Sequence, residues 1–164
     1  MKIIQIVGYK NSGKTTLASH LIETFTTKGI RVASLKHHGH GGEPAGISNT
    51  DSEQHRTSGA FVSGVTGEHI LQLANQGRWE LSQILPFYQR LGAEVLVVEG
   101  FKNENYPKIV LLKNKNDQHL LKSLTNILAV MTWFPMDHPS LPTFLKGEEK
   151  KLCHWISETI FQNK

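Results

Sequence analysis

Eight residues, Gly8-Tyr9-Lys10-Asn11-Ser12-Gly13-Lys14-Thr15, constrain this chain more than any others. They fill every fixed position of the phosphate-loop pattern G-x-x-x-x-G-K-[ST]. Before them runs Lys2-Ile3-Ile4-Gln5-Ile6-Val7, rich in β-branched residues, which predicts a buried strand. After them, Leu17, Leu21, Ile22 and Phe25 recur at the spacing of an amphipathic helix. A strand, a glycine-rich turn and a helix in that order are the context in which the pattern carries a mechanism. The backbone N–H groups of residues 11–15, Asn11, Ser12 and Gly13 among them, would converge at a helix N-terminus, where the dipole favours anions. Gly8 and Gly13 permit the tight backbone, Lys14 brings a point charge to terminal phosphates, and the Thr15 hydroxyl suits Mg²⁺.

The rest of the chain predicts alternating strands and helices. Ile30–Lys36 reads as a second strand, so the first strand, helix and second strand form a βαβ unit with a parallel, right-handed crossover. Residues 49–59 read as a short polar helix capped near Asn49 or Thr50, and residues 60–65 and 68–73 as a hairpin turning at Thr66-Gly67. A helix follows over about 77–92, with Pro86 inside it. Val95-Leu96-Val97-Val98-Glu99-Gly100 reads as a central buried strand ending in an acid. Pro107–Leu112 predicts another strand, residues 113–126 a loop around a short helix, residues 126–131 the last strand, and residues 148–161 a closing helix. The expected fold is therefore α/β: a three-layer phosphate-loop NTPase sandwich, mostly parallel, with an inserted hairpin. At 164 residues a single domain spanning 1–164 is expected.

Chemistry beyond the loop gathers at the carboxyl ends of the strands, where open α/β sheets bind ligands. Glu99 has the form of the second nucleotide motif of phosphate-loop proteins, a carboxylate that reaches Mg²⁺ or positions a nucleophile. With Lys14 it is the candidate catalytic pair. Asp51 is the second candidate carboxylate, and Thr15, Asp51 and Glu99 make a hard-oxygen set. Lys36, His37, His38 and His40 follow the second strand in a glycine-rich stretch. Metal, phosphate or another anionic ligand could occupy it, and the residues do not choose among them. Arg56 can grip an anion by two parallel hydrogen bonds.

Composition narrows the classes. A net charge of +4, with lysines scattered rather than stacked in runs, suits phosphate-bearing ligands or an acidic partner, and no nucleic-acid module is apparent. Cys153 is the one cysteine, so no disulfide within the chain is possible and a reducing compartment is expected. The N-terminus enters a strand directly, with no apolar leader or long apolar run, which predicts a cytoplasmic protein away from membranes. No serine nucleophile elbow is present, and the four arginines are too dispersed to surround a phosphate under transfer.

Together, Gly8 to Thr16, Lys36-His37-His38, Asp51-Ser52 with His55-Arg56, Val98-Glu99-Gly100-Phe101-Lys102 and Tyr106-Pro107-Lys108-Ile109 resemble the MobB family. That family is the molybdopterin-guanine dinucleotide biosynthesis adapters. The resemblance covers residues 3 to about 131 and implies a homodimeric GTP-binding protein with weak GTPase activity. It would use GTP and Mg²⁺ and assist the molybdopterin guanylyltransferase. By the same resemblance Gly8 to Thr16 hold the nucleotide phosphates, Gly100, Phe101 and Lys102 respond to the γ-phosphate, and Thr15, Asp51 and Glu99 serve the metal. Lys36, His37, His38, His55, Arg56 and Lys102 line an anionic pocket, of which molybdopterin is a candidate ligand. The chain departs from the family pattern after the last strand. A small residue and an aspartate are expected there to read guanine, and Thr132-Trp133-Phe134-Pro135 stand instead, with Asp137 the next carboxylate. Two other classes fit parts of the pattern: a nickel or zinc metallochaperone GTPase using the histidines, and a small-molecule ATP-dependent ligase or kinase using Val98-Glu99-Gly100.

Overall fold

The structure, a computed structural model, describes residues 1–37 and 50–161. His38, His40 and Asn49 lie outside the described residues. The chain divides into two units, residues 1–39 with 81–164 and residues 40–80, each of which is taken by itself below.

The first unit is built on a six-stranded sheet ordered β2-β5-β1-β6-β7-β8. Its strands are β1 (Lys2–Gly8), β2 (Val32–Lys36), β5 (Val95–Glu99), β6 (Lys108–Leu112), β7 (Ile127–Thr132) and β8 (Thr143–Leu145). Every pairing in it is parallel. β5 lies between β1 and β2, so the first crossover skips one position. The place suits its sequence: all five residues of β5 are buried, which only a strand covered on both faces requires.

Alternate residues feed two apolar layers. On one face Ile4, Ile6, Val95, Val97, Ile109 and Leu111 pack against α1 (Lys14–Thr26) and α5 (Glu149–Phe161) through Leu17, Leu21, Phe25, Leu152 and Ile156. Cys153 belongs to this layer, and burial pushes its thiol up to about 11. On the other face Leu96 and Val98 meet Leu81 and Leu85 of α3 (Leu81–Arg90), while Val110, Leu112 and Val130 meet Leu120 of the short α4 (His119–Ser123). The three-layer arrangement expected from sequence is thus present in this unit.

The strand β7 is not the last, as residues 126–131 were expected to be, because β8 pairs with it in parallel. Three residues after Pro142 are too few to show a period. Lys108 opens β6 wholly buried. Its ammonium donates to the carbonyls of Glu104 and Thr125 at 2.7 and 2.8 Å, which offsets the cost of burial.

The second unit holds α2 (Asp51–Thr57) and the antiparallel hairpin β3 (Val62–Thr66) and β4 (Leu71–Asn75). Thr50 caps α2, its hydroxyl accepting from the Glu53 N–H. Among the described residues these two strands form a sheet of their own, and Val65, Leu71 and Leu73 are exposed upon it.

Candidate functional site

The loop after β1 brings the carboxyl edge of the sheet to the start of α1. Gly13 precedes the helix at φ 98°, a left-handed conformation that suits glycine. Among the described residues no side chain caps α1, and no acid stands in its first turn, unlike α2, which has Thr50, Asp51 and Glu53. The first amides of α1 are thus left for an external anion. Asn11, at φ 59°, and Thr16 are exposed beside them.

A charged cluster sits next to those amides. The Thr15 hydroxyl donates to Glu99 Oε2 at 3.0 Å, and Lys36 Nζ lies 3.6 Å from Glu99 Oε1 and 3.4 Å from Thr15 Oγ1. Lys14 Nζ donates to the Tyr9 carbonyl at 2.7 Å, folded back over its own loop. Burial holds the Lys14 ammonium below the usual lysine range; the Glu99 carboxylate opposes that shift and the Lys36 charge adds to it. Glu99 is only 8% exposed, so its charge acts in a partly water-excluded setting. Strand geometry explains the meeting: β1 and β2 both flank β5, so Gly8, Lys36 and Glu99 end side by side.

The segment after β5 is held from beneath. Gly100 and Phe101 have φ 100° and 50°, and the Gln5 amide donates to the Phe101 carbonyl at 2.8 Å. The Gly100 N–H donates to the Ile6 carbonyl at 3.1 Å, and the His37 N–H to the Glu99 carbonyl at 2.8 Å. The His37 ring lies 4.4 Å from that of Phe101, and Lys102 is exposed just beyond. Gln5 had a signal in the sequence, a lone polar residue inside an apolar strand, which periodicity alone did not turn into a role.

In the second unit Asp51 and His55 stand one turn apart on α2 and both are exposed, while Arg56 is buried with Nη2 3.4 Å from Glu53 Oε1. Among the described residues no group of three His, Cys, Asp or Glu side chains could hold a metal; His38 and His40 lie outside them.

Cavity size does not choose the site. A hollow of about 430 Å³ opens near the amino ends of β1 and β6, lined by Ile3, Tyr106, Leu128 and Ile160. The depression beside Thr15, Lys36 and Glu99 measures about 190 Å³. Uncapped amides and the converging charges are at the smaller one, and phosphate recognition depends on those.

Comparison with known proteins shows the family and agrees on the fold. The model of the family MobB, molybdopterin guanine dinucleotide synthesis protein B, matches residues 3–133. The chain belongs to the MobB family. It is 38% identical over 146 residues to the "Probable molybdopterin-guanine dinucleotide biosynthesis adapter protein" of Bacillus subtilis, covering 87% of this chain and 84% of that one. It is 30% identical over 145 residues to the molybdopterin-guanine dinucleotide biosynthesis adapter protein of Haemophilus influenzae, covering 82% and 76%. The crystal structure of Bacillus subtilis MobB superposes with a TM-score of 0.83 at 35% identity, over 96% of this chain and 98% of that one. The MobB homolog from Bacillus stearothermophilus gives 0.81 at 32%, over 99% and 100%. Like these MobB structures, the chain has a phosphate-loop NTPase-like α/β fold.

Proposed function

We propose that this MobB family member is a GTP-binding adapter with weak GTPase activity in molybdopterin guanine dinucleotide biosynthesis, assisting the guanylyltransferase. The observation that carries the nucleotide part is the uncapped α1 N-terminus facing Lys14, Lys36 and the Thr15–Glu99 pair. The names of the relatives support the pathway and the adapter role.

In this reading the amides of 11–15 and Lys14 bind the phosphates, and Lys36 adds charge at the rim. Thr15 Oγ1 and Glu99 Oε2, oxygen donors 3.0 Å apart, fit Mg²⁺ chemically, and Asp51 is the further candidate ligand. When bound, that ion would neutralise charge on the phosphate oxygens. Within the first unit Arg31 pairs with Glu94 at the far end of β5 and Arg90 closes α3, so neither guanidinium serves the loop, which supports slow hydrolysis. The protein acts as a homodimer in the cytoplasm. Val65, Leu71 and Leu73, at 53, 67 and 62% exposure on a two-stranded sheet, support that, since such a hairpin is marginal alone. His37, His38, His55, Arg56 and Lys102 then serve an anionic ligand, with molybdopterin as the candidate.

The test is capture from cell extract in Mg²⁺ and GTP, with the retained partner identified by mass spectrometry and the mass of the bait read by light scattering. A guanylyltransferase bound to a dimer is expected. Preference for ATP together with no affinity for that enzyme would overturn the proposal. A Glu99→Gln variant should keep nucleotide affinity within about threefold and lower phosphate release by tenfold or more, on the order of one lost electrostatic contact. Unchanged release would reduce Glu99 to a structural acid.

A further inference from the structure

We propose that the base is read on its acceptor edge alone, by a platform of Trp133, Lys113 and Lys146, so that any 6-oxopurine nucleotide is accepted. This rests on the nucleotide reading above.

The three residues leave adjacent strands at the carboxyl edge, on the β6 side of the phosphate loop. Lys113 follows β6, Trp133 follows β7 and Lys146 follows β8. The ladder bonds continue into them: the Trp133 N–H donates to the Leu112 carbonyl at 3.0 Å and the Lys146 N–H to the Thr132 carbonyl at 2.8 Å. The indole N–H of Trp133 donates to the carbonyl of Ser12 at 3.1 Å, which ties the ring to the phosphate loop itself. Trp133 as a residue is 38% exposed. Lys146 Nζ lies 3.6 Å from its centroid and Lys113 Nζ 5.3 Å from it. An aromatic face with two ammonium groups suits a base, because stacking tolerates any base and the donors select among them.

Ammonium groups only donate. Guanine offers two acceptors, O6 and N7, on one edge; adenine offers N7 but places a donor amine beside it. The pair therefore favours 6-oxopurines. A carboxylate is needed to read the N1–H and 2-amino groups of guanine, and two carboxylates of these segments, Asp117 and Glu148, are otherwise engaged. Asp117 is buried with Oδ2 accepting the N–H groups of Lys113 and Asn114 at 2.8 and 3.1 Å. Glu148 accepts from Lys151 at 2.7 Å and from the Leu145 N–H at 3.0 Å. Asp137 is exposed in the loop after Trp133. Inosine shares the acceptor edge of guanine and lacks its 2-amino group, so it separates the two modes of reading.

Calorimetric titration of the full chain with GTP, ITP and ATP in Mg²⁺ tests this. ITP should bind within about threefold of GTP, and ATP at least about tenfold more weakly. Trp133→Leu should weaken all three by roughly 5- to 100-fold, the range of a lost base stack. Lys113→Ala with Lys146→Ala, both exposed positions, should bring the GTP to ATP ratio close to one. Charge without reading would instead weaken GTP and ATP alike and leave the ratio intact, overturning the assignment to the lysines. Loss of ITP binding by roughly 10- to 100-fold against GTP would assign a carboxylate reader such as Asp137 and overturn the inference. Equal affinity for ATP and GTP would also overturn it while sparing nucleotide binding. No binding of any of the three would overturn the nucleotide reading itself.

Discussion

Replacing Lys14 with alanine is expected to remove measurable nucleotide binding while leaving the fold intact. Among the described residues its ammonium has one hydrogen-bond partner, the Tyr9 carbonyl at 2.7 Å, so its loss costs the unliganded protein about 1 kcal/mol. Towards a phosphate the same group would form charge-assisted bonds, and losing two of these weakens affinity by roughly 10²- to 10⁴-fold. Lys36 does not replace it. That ammonium projects from β2 with 64% of its side chain exposed and lies against Glu99. The pH dependence has a definite sign. Burial lowers the Lys14 pKa in the free protein, and a bound phosphate anion favours the charged form and raises it again. Binding then takes up a proton, so affinity should fall as pH rises through the lowered Lys14 pKa of the free protein. Titration calorimetry in buffers of different ionisation enthalpy would show the uptake. Retained GTP affinity in Lys14→Ala would remove the loop from the proposed function.

Much of the fold was legible because it depends on local chemistry. The phosphate loop has fixed spacing, β5 is an unbroken apolar run closed by Glu99, and the hairpin exists as expected, although it turns over residues 67–70 because Thr66 pairs with Leu71 inside the ladder. The order of strands was not legible. Both β2 and β5 are parallel to β1, and no local pattern says which one lies next to it. Burial on both faces decides it. The strand β8 was missed because an edge strand of three residues carries no period. Within the site, Thr15, Lys36 and Glu99 meet as their positions at strand and helix ends imply. The Trp133–Ser12 bond was beyond reach, since it joins residues 121 apart through a ring that sequence marks only as out of pattern.

The two glycines of the loop should respond differently to alanine, and the difference is testable without any ligand. Gly8 is needed for room. A Cβ there would stand 2.7 Å from Ser12 Oγ and 2.8 Å from the Leu111 carbonyl, its partner in the β1–β6 ladder. Gly13 is needed for conformation: at φ 98° a Cβ would meet nothing nearer than 3.8 Å. Gly8→Ala should therefore destabilise by about 1–3 kcal/mol through overpacking, and Gly13→Ala by about 1–2 kcal/mol through backbone strain. The magnitudes overlap, so coupling has to separate them. Ser12 Oγ is buried with no hydrogen-bond partner among the described residues, so Ser12→Ala alone should be nearly neutral. Combined with Gly8→Ala it removes one of the two close contacts and should recover part of the loss; combined with Gly13→Ala it should recover none. Urea unfolding of the five variants and the parent gives both coupling energies. Equal coupling in the two pairs would mean that strain, not space, excludes a side chain from both positions. A coupling confined to Gly8 would further predict weaker nucleotide binding by Gly8→Ala, because a clash with Ser12 and Leu111 displaces the loop whose amides, 11–15, are proposed to bind phosphate.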